Sequence, residues 1–99
     1  MKLLTKRIEA KLFATPLYST EGQSEEEKKP IVKFFNPCGA ATWIVYEGNK
    51  LDNGDWEFFG KVDLGLGFGF EWGYFRLSEL ENIRLPFGLK IERDKYFAA

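Results

Sequence analysis

The chain contains no histidine and a single cysteine, Cys38. Without histidine there is no Ser-His-Asp or Cys-His arrangement and no His-containing zinc site. A lone cysteine closes no internal disulfide, so a reducing cytoplasm is the expected home. Cys38 also has no obvious base or cation nearby in sequence to activate its thiolate, and an inert thiol is expected. Neither sign of charge dominates: 14 basic against 15 acidic residues leave a net charge of −1. That balance argues against a basic nucleic-acid groove, which works by releasing condensed counterions. It is equally far from the dense acidic surface that would imitate a DNA backbone. No segment approaches the ~18 consecutive apolar residues of a membrane span. After Met1-Lys2-Leu3-Leu4 the chain turns polar instead of entering the apolar run of a signal peptide. A cytoplasmic protein with no membrane partner is the expectation.

Aromatic side chains are plentiful instead, with ten Phe, four Tyr and three Trp among 99 residues. This length suits one domain, 1–99, which buries roughly 60–70% of the surface its unfolded chain exposes. Each ring buries a large area, so a short chain can build its core from a few of them.

Thr5 is placed to cap a short amphipathic helix, its hydroxyl accepting from an orphan backbone N–H. Ile8 and Leu12, four apart, share one face of that helix, and Pro16 ends any continuation. Residues 19–30 contain no apolar side chain apart from Pro30, and read as a mobile surface loop. Strands follow at 31–35, 42–47 and 56–62. The turn residues Asn36-Pro37-Cys38-Gly39 separate the first two, and Asp52-Asn53-Gly54-Asp55 marks a hairpin before the third. The second strand is apolar on both faces, as expected of one covered on two sides. In the third, Trp56, Phe58 and Val62 oppose Glu57 and Lys61, and Phe59 spoils the polar face.

Residues 64–74 are the most regular stretch, with large apolar groups at every even position and glycine at most odd ones. As a strand this would give one apolar face and one nearly bare. Glycine in strands also marks bends and close approaches, so the first part is expected as an irregular loop leading into a strand near 70–75. Ser78-Glu79-Leu80-Glu81 fits a capping box opening a short second helix to about Arg84. Pro86-Phe87-Gly88 is turn-like, and 89–97 closes the domain. The predicted fold is α+β: a small antiparallel sheet of about four strands with an N-terminal helix and a short second helix.

Gly65-x-Gly67-x-Gly69 is not a dinucleotide loop, because Phe70 stands where the third glycine belongs and no helix opens there. Asp52, Asn53 and Asp55 lack calcium-loop spacing. No catalytic, cofactor or metal-ligating residue is predicted. Among the carboxylates, Glu57, Asp63 and Glu71 lie on or near strands, where a convergent pair would allow acid–base chemistry without histidine. Arg93 and Asp94 are expected to anchor the C-terminal segment. For partner binding, the candidates are the acidic loop residues Glu21, Glu25, Glu26 and Glu27, together with whichever of Trp43, Tyr46 and Trp56 face solvent. Such rings also stack on single-stranded bases, and the basic Lys2, Lys6, Arg7 and Lys11 give a nucleic-acid reading a second, weaker foothold.

Several segments carry a resemblance: Leu3-Leu4-Thr5, Leu17-Tyr18-Ser19-Thr20-Glu21, Lys33-Phe34-Phe35-Asn36-Pro37, Phe58-Phe59-Gly60 and Ile91-Glu92-Arg93-Asp94-Lys95-Tyr96-Phe97. The most specific is Gly73-Tyr74-Phe75-Arg76-Leu77-Ser78-Glu79-Leu80-Glu81. In this order they resemble a small bacterial domain-of-unknown-function family, 2958, over nearly the whole chain. The glycine-rich 64–72 departs from the pattern. The resemblance brings no catalytic residues. It implies cargo of plasmids, integrative elements and phages, and hence an anti-restriction, anti-CRISPR or replication accessory role. The function expected is therefore a non-enzymatic protein that binds a host defence or nucleic-acid-processing protein complex, with inhibition of that complex as one outcome of binding. A nucleic-acid accessory module and a carboxylate-dependent enzyme are the alternatives.

Overall fold

The computed structural model describes residues 2–97. Helix α1, Lys6–Phe13, starts where Thr5 Oγ1 accepts from the Ile8 amide at 3.1 Å. Five strands form one sheet: β1 Val32–Phe35, β2 Thr42–Lys50, β3 Trp56–Asp63, β4 Glu71–Arg76 and β5 Glu92–Arg93. Their order is β4-β3-β2-β1-β5, and every pairing is antiparallel. The last strand is the addition to the predicted four. Two residues long, it is too short for a period-two signal, and its ladder with Phe34 and Phe35 creates it. Asp94 reinforces the pairing by donating its amide to the Lys33 carbonyl (2.9 Å) and facing the Lys33 ammonium at 3.7 Å. Arg93 donates to the Lys2 carbonyl at 2.6 Å, tying the two ends of the domain together as expected.

Helix α2 is Leu77–Glu81, two positions earlier than the capping box implied. Arg76 is the N-cap, and its amide donates to Glu79 Oε1 at 3.0 Å. Ser78 cannot cap because it is engaged elsewhere. Its hydroxyl and amide donate to Asp55 Oδ2 and Oδ1, at 2.6 and 3.0 Å, pinning the helix to the β2–β3 hairpin. In that hairpin Gly54 takes φ +89°, while Asn53 stays in the ordinary region, so the predicted primed turn is replaced by a longer loop.

One face of the sheet makes the core. Phe34, Trp43, Val45, Trp56, Phe58 and Phe75 lie there under Leu12 of α1 and Leu80 of α2. The rings interlock: Trp56 stacks on Phe58, which also meets Phe34 and Phe75. Alternation would send Glu47 into this core behind Val45. A bulge at Tyr46 prevents it: Val45 pairs with Gly60, but Glu47 pairs with Phe59, so the carboxylate turns to the opposite face. The strands crowd at this point. A Cβ on Gly60 would lie 1.9 Å from the Ile44 carbonyl oxygen, and only glycine fits.

Candidate functional site

The sheet face away from the core is not a plain polar surface. Register sets Phe59 of β3 opposite Tyr74 of β4, and Lys61 opposite Trp72. Cross-strand neighbours on one face touch, and here they are rings. Tyr46 meets Trp72 at 4.9 Å between centroids, and Trp72 stacks on Phe59 at 5.5 Å and 17°. Phe59 meets Tyr74 at 5.1 Å, and Tyr74 meets Tyr18 at 6.3 Å. A continuous aromatic ladder thus crosses three strands and ends on the segment after α1.

That segment is held down by one carboxylate. Glu47, 2% exposed, accepts from the Tyr18 amide at 2.7 Å and the Thr20 amide at 3.0 Å, and also from the Thr20 hydroxyl. Lys28 closes the loop by donating to the Thr20 carbonyl (2.5 Å) and hydroxyl (2.9 Å). The apolar-free stretch expected to move freely is therefore folded back as a series of turns onto the sheet. Its anchor is a charge that the bulge redirected, which simple strand alternation does not reveal. Tyr18 sits at φ +71°, a conformation that an aromatic residue rarely adopts. Glu47 fixes the backbone there and leaves the ring standing beside Tyr74. Between loop and sheet lies a cleft of about 300 Å³. Its walls are the rings of Tyr18, Phe59, Trp72 and Tyr74, and its rim carries Glu21 and Glu25. A hydrogen bond with Tyr18, then slight burial and the charges of Tyr18, Glu47 and Glu21, push the Tyr74 phenol above its usual pKa.

Lys61 occupies a second aromatic setting next to this cleft. Its ammonium lies 5.8 Å from the Tyr46 ring, 5.1 Å from Phe70 and 5.8 Å from Trp72, with Glu25 at 4.0 Å. A cation above several ring faces is attracted by their quadrupoles.

Beyond Lys61 the β3–β4 connection runs through residues 64–70. Asp63 Oδ1 accepts from the Gly65 amide at 2.8 Å, starting a turn, and Gly65, Gly67 and Gly69 take φ of +78°, +90° and +73°. Alternate left-handed glycines cannot continue a strand. The regular pattern of 64–74 thus divides into a loop and β4, as the glycines suggested. Leu64, Leu66, Phe68 and Phe70 are exposed to 59, 68, 80 and 44%. Beneath them is a shallow hollow of about 220 Å³ whose wall again includes Trp72 and Tyr74.

The predicted binding aromatics need correction. Trp43 and Trp56 point into the core, and Tyr46, at the bulge, is covered by Trp72. None of the three faces solvent, because each sits on a central strand with a packed layer over it. Glu21, Glu25, Glu26 and Glu27 are exposed as expected. Glu21 and Glu25 reach the aromatic cleft, whereas Glu27 binds back to the Ser24 amide at 3.0 Å, which holds its carboxyl below the usual range. The carboxylates divide: Glu57 pairs with Arg76 at 3.4 Å, while Asp63 and Glu71 border the hollow under the 64–70 loop. Cys38 is exposed at the β1–β2 turn. Tyr18, Phe59, Trp72 and Tyr74 were not singled out as binding residues. The available signal was Phe59 itself, an aromatic where a polar side chain was due.

Among the described residues no group of acidic or cysteine side chains is arranged to hold a metal, and no helix is long and apolar enough to cross a membrane. Residues 3–99 match the model of the family described as "Protein of unknown function (DUF2958)". Neither a curated protein nor a solved structure matches the chain.

Proposed function

Since the chain belongs to the DUF2958 family, we propose that it acts by binding a host protein or protein complex, in the manner of mobile-element proteins that inhibit host defence or nucleic-acid processing. The carrying observation is the 64–70 loop, whose Leu64, Leu66, Phe68 and Phe70 are held in solvent by alternate left-handed glycines. Folding gains nothing from exposing such side chains, and apolar groups presented together on a surface mark interaction sites. Asp63 and Glu71 flank the loop, so the complementary partner surface is an apolar groove with a basic rim. On the neighbouring face Glu21 is exposed, and Glu25 pairs with Lys61, whose ammonium also meets Phe70 of the loop.

The test is affinity capture from host cells with a photo-crosslinker at position 68, with and without nuclease. A single stoichiometric protein, crosslinked through the loop and lost with a Leu66→Ser, Phe68→Ser double variant that remains folded, is the expected result. Capture abolished by nuclease would replace this reading with the nucleic-acid module. A crosslink pattern unchanged by the double variant would remove the loop from the interface.

A further inference from the structure

The geometry points to a second binding site: the cleft between the 16–28 segment and the sheet takes an organic cation, a guanidinium or alkylated ammonium group. This site borders the hollow under the 64–70 loop, with which it shares Trp72 and Tyr74. Four rings wall it, Tyr18, Phe59, Trp72 and Tyr74, and they meet in an unbroken series with centroid spacings of 6.3, 5.1 and 5.5 Å. The open cleft, about 300 Å³, is at the small end of ligand pockets, roughly 300–1,000 Å³, and suits a side-chain-sized group.

Charge decides which group. Three carboxylates line the cleft, Glu21, Glu25 and Glu47, against the ammonium of Lys28, with that of Lys61 beside it, 4.0 Å from Glu25. Lys28 is directed at the Thr20 carbonyl and hydroxyl, 2.5 and 2.9 Å away, and so belongs to the loop's own hydrogen bonding. Glu47 is engaged by the amides of Tyr18 and Thr20 and contributes field, Glu25 faces the Lys61 ammonium, and Glu21 stands exposed at the rim. Ring faces and carboxylates together favour a weakly hydrated cation over an anion or a neutral apolar ligand. The molecule already contains one instance of this recognition. The Lys61 ammonium lies over Tyr46, Phe70 and Trp72 with Glu25 4.0 Å away, and Trp72 and Glu25 also line the cleft. Of the four rings that wall the cleft, Lys61 lies over Trp72 alone. Tyr18 is also held at φ +71°, and strained residues of this kind cluster at ligand clamps.

The experiment is an NMR titration of the intact chain with choline and, separately, with N-acetyl-arginine amide. The neutral isosteres 3,3-dimethylbutanol and N-acetyl-citrulline amide serve as controls. Saturable shifts centred on the Trp72 indole and on Tyr18 and Tyr74, at least fivefold tighter for cation than isostere, are expected. Tyr74→Leu should weaken binding at least threefold, Tyr74→Phe should retain it, and the Phe68→Ser variant should bind as the parent does. Preference for choline indicates a free alkylammonium ligand, whereas preference for the arginine amide indicates an arginine side chain of a protein. Equal binding of isosteres, shifts mapping elsewhere, or no saturation with either cation overturns the proposal.

Discussion

Both faces of the sheet are built from aromatic rings at contact distance, yet the rings serve opposite ends. On the core face Phe34, Phe58, Phe75 and Trp56 are buried under two helices. On the other face Tyr46, Trp72, Phe59 and Tyr74 are just as continuous, but only a hydrogen-bonded loop covers part of them, and Tyr74 remains 53% exposed. What separates the two is the covering element. A helix contributes apolar side chains that exclude water, whereas the 16–28 segment contributes backbone turns and carboxylates that leave a cleft. Rings are therefore closed off from water where a helix covers them and stay partly open to it where a polar loop does.

The largest effect should come from treating the faces alike. Phe58→Ala opens a cavity at the centre of the core and should cost about 3–5 kcal/mol. Tyr74→Ala removes a ring whose pair interactions contribute about 0.5–1.5 kcal/mol. Urea denaturation of the two variants measures the gap. Similar losses would mean that the open face is a second core and not a recognition surface.

Next in size is the anchor of the covering loop. Glu47→Ala leaves the buried Thr20 and the Tyr18 amide without their acceptor, and should destabilise by about 3 kcal/mol. Hydrogen exchange should place the loss locally: the Tyr18 and Thr20 amides become unprotected before those of β2 and β3. Uniform loss of protection throughout the sheet would show that the loop is part of the global folding unit instead of a cover laid over it.

These two experiments also mark where sequence reading succeeded and where it stopped. Helix α1, three strands and the division of 64–74 were legible because each depends on local chemistry: a capping threonine, period-two alternation, glycine. The core identity of Phe58 and Trp56 follows from the same alternation, although Trp56 was at the same time nominated for an exposed patch. The cleft was not legible, since it depends on the bulge at Tyr46. One extra residue moves Glu47 from the core side to the loop side, and nothing local in Val45-Tyr46-Glu47-Gly48 announces it. Asp55 behaves similarly. Its place in a hairpin turn was readable, but its bonds to Ser78, 23 positions later, depend on where α2 lands.

That last contact gives a smaller effect with a definite pH dependence. Burial raises the Asp55 pKa, but bonds from the Ser78 hydroxyl and the Trp56 and Ser78 amides, with the Arg76 charge, outweigh it, and the net shift is downward. A depressed carboxyl stabilises the fold fully above its unfolded pKa, and the contribution disappears as pH falls through the folded value. Asp55→Ala should cost about 1 kcal/mol at neutral pH. The difference from the parent should shrink on acidification below about pH 4. A difference that stays constant through that range would assign the cost to packing and not to the charged hydrogen bonds.

The smallest expected effect on stability is the most informative about the open side of the molecule. Phe68 is 80% exposed on a loop whose glycines, not its apolar side chains, set the backbone. Phe68→Ser should therefore change stability by no more than about 0.5 kcal/mol, as for an ordinary surface site. Removing a large exposed apolar group should also raise solubility, read as a higher concentration at the onset of light scattering. A loss of 2 kcal/mol or more would mean that the 64–70 loop closes over the hollow beside Trp72 in solution, burying Phe68 within the molecule. The loop would then join the core face in function, as packing, and Tyr18, Phe59, Trp72 and Tyr74 would be left as the recognition surface.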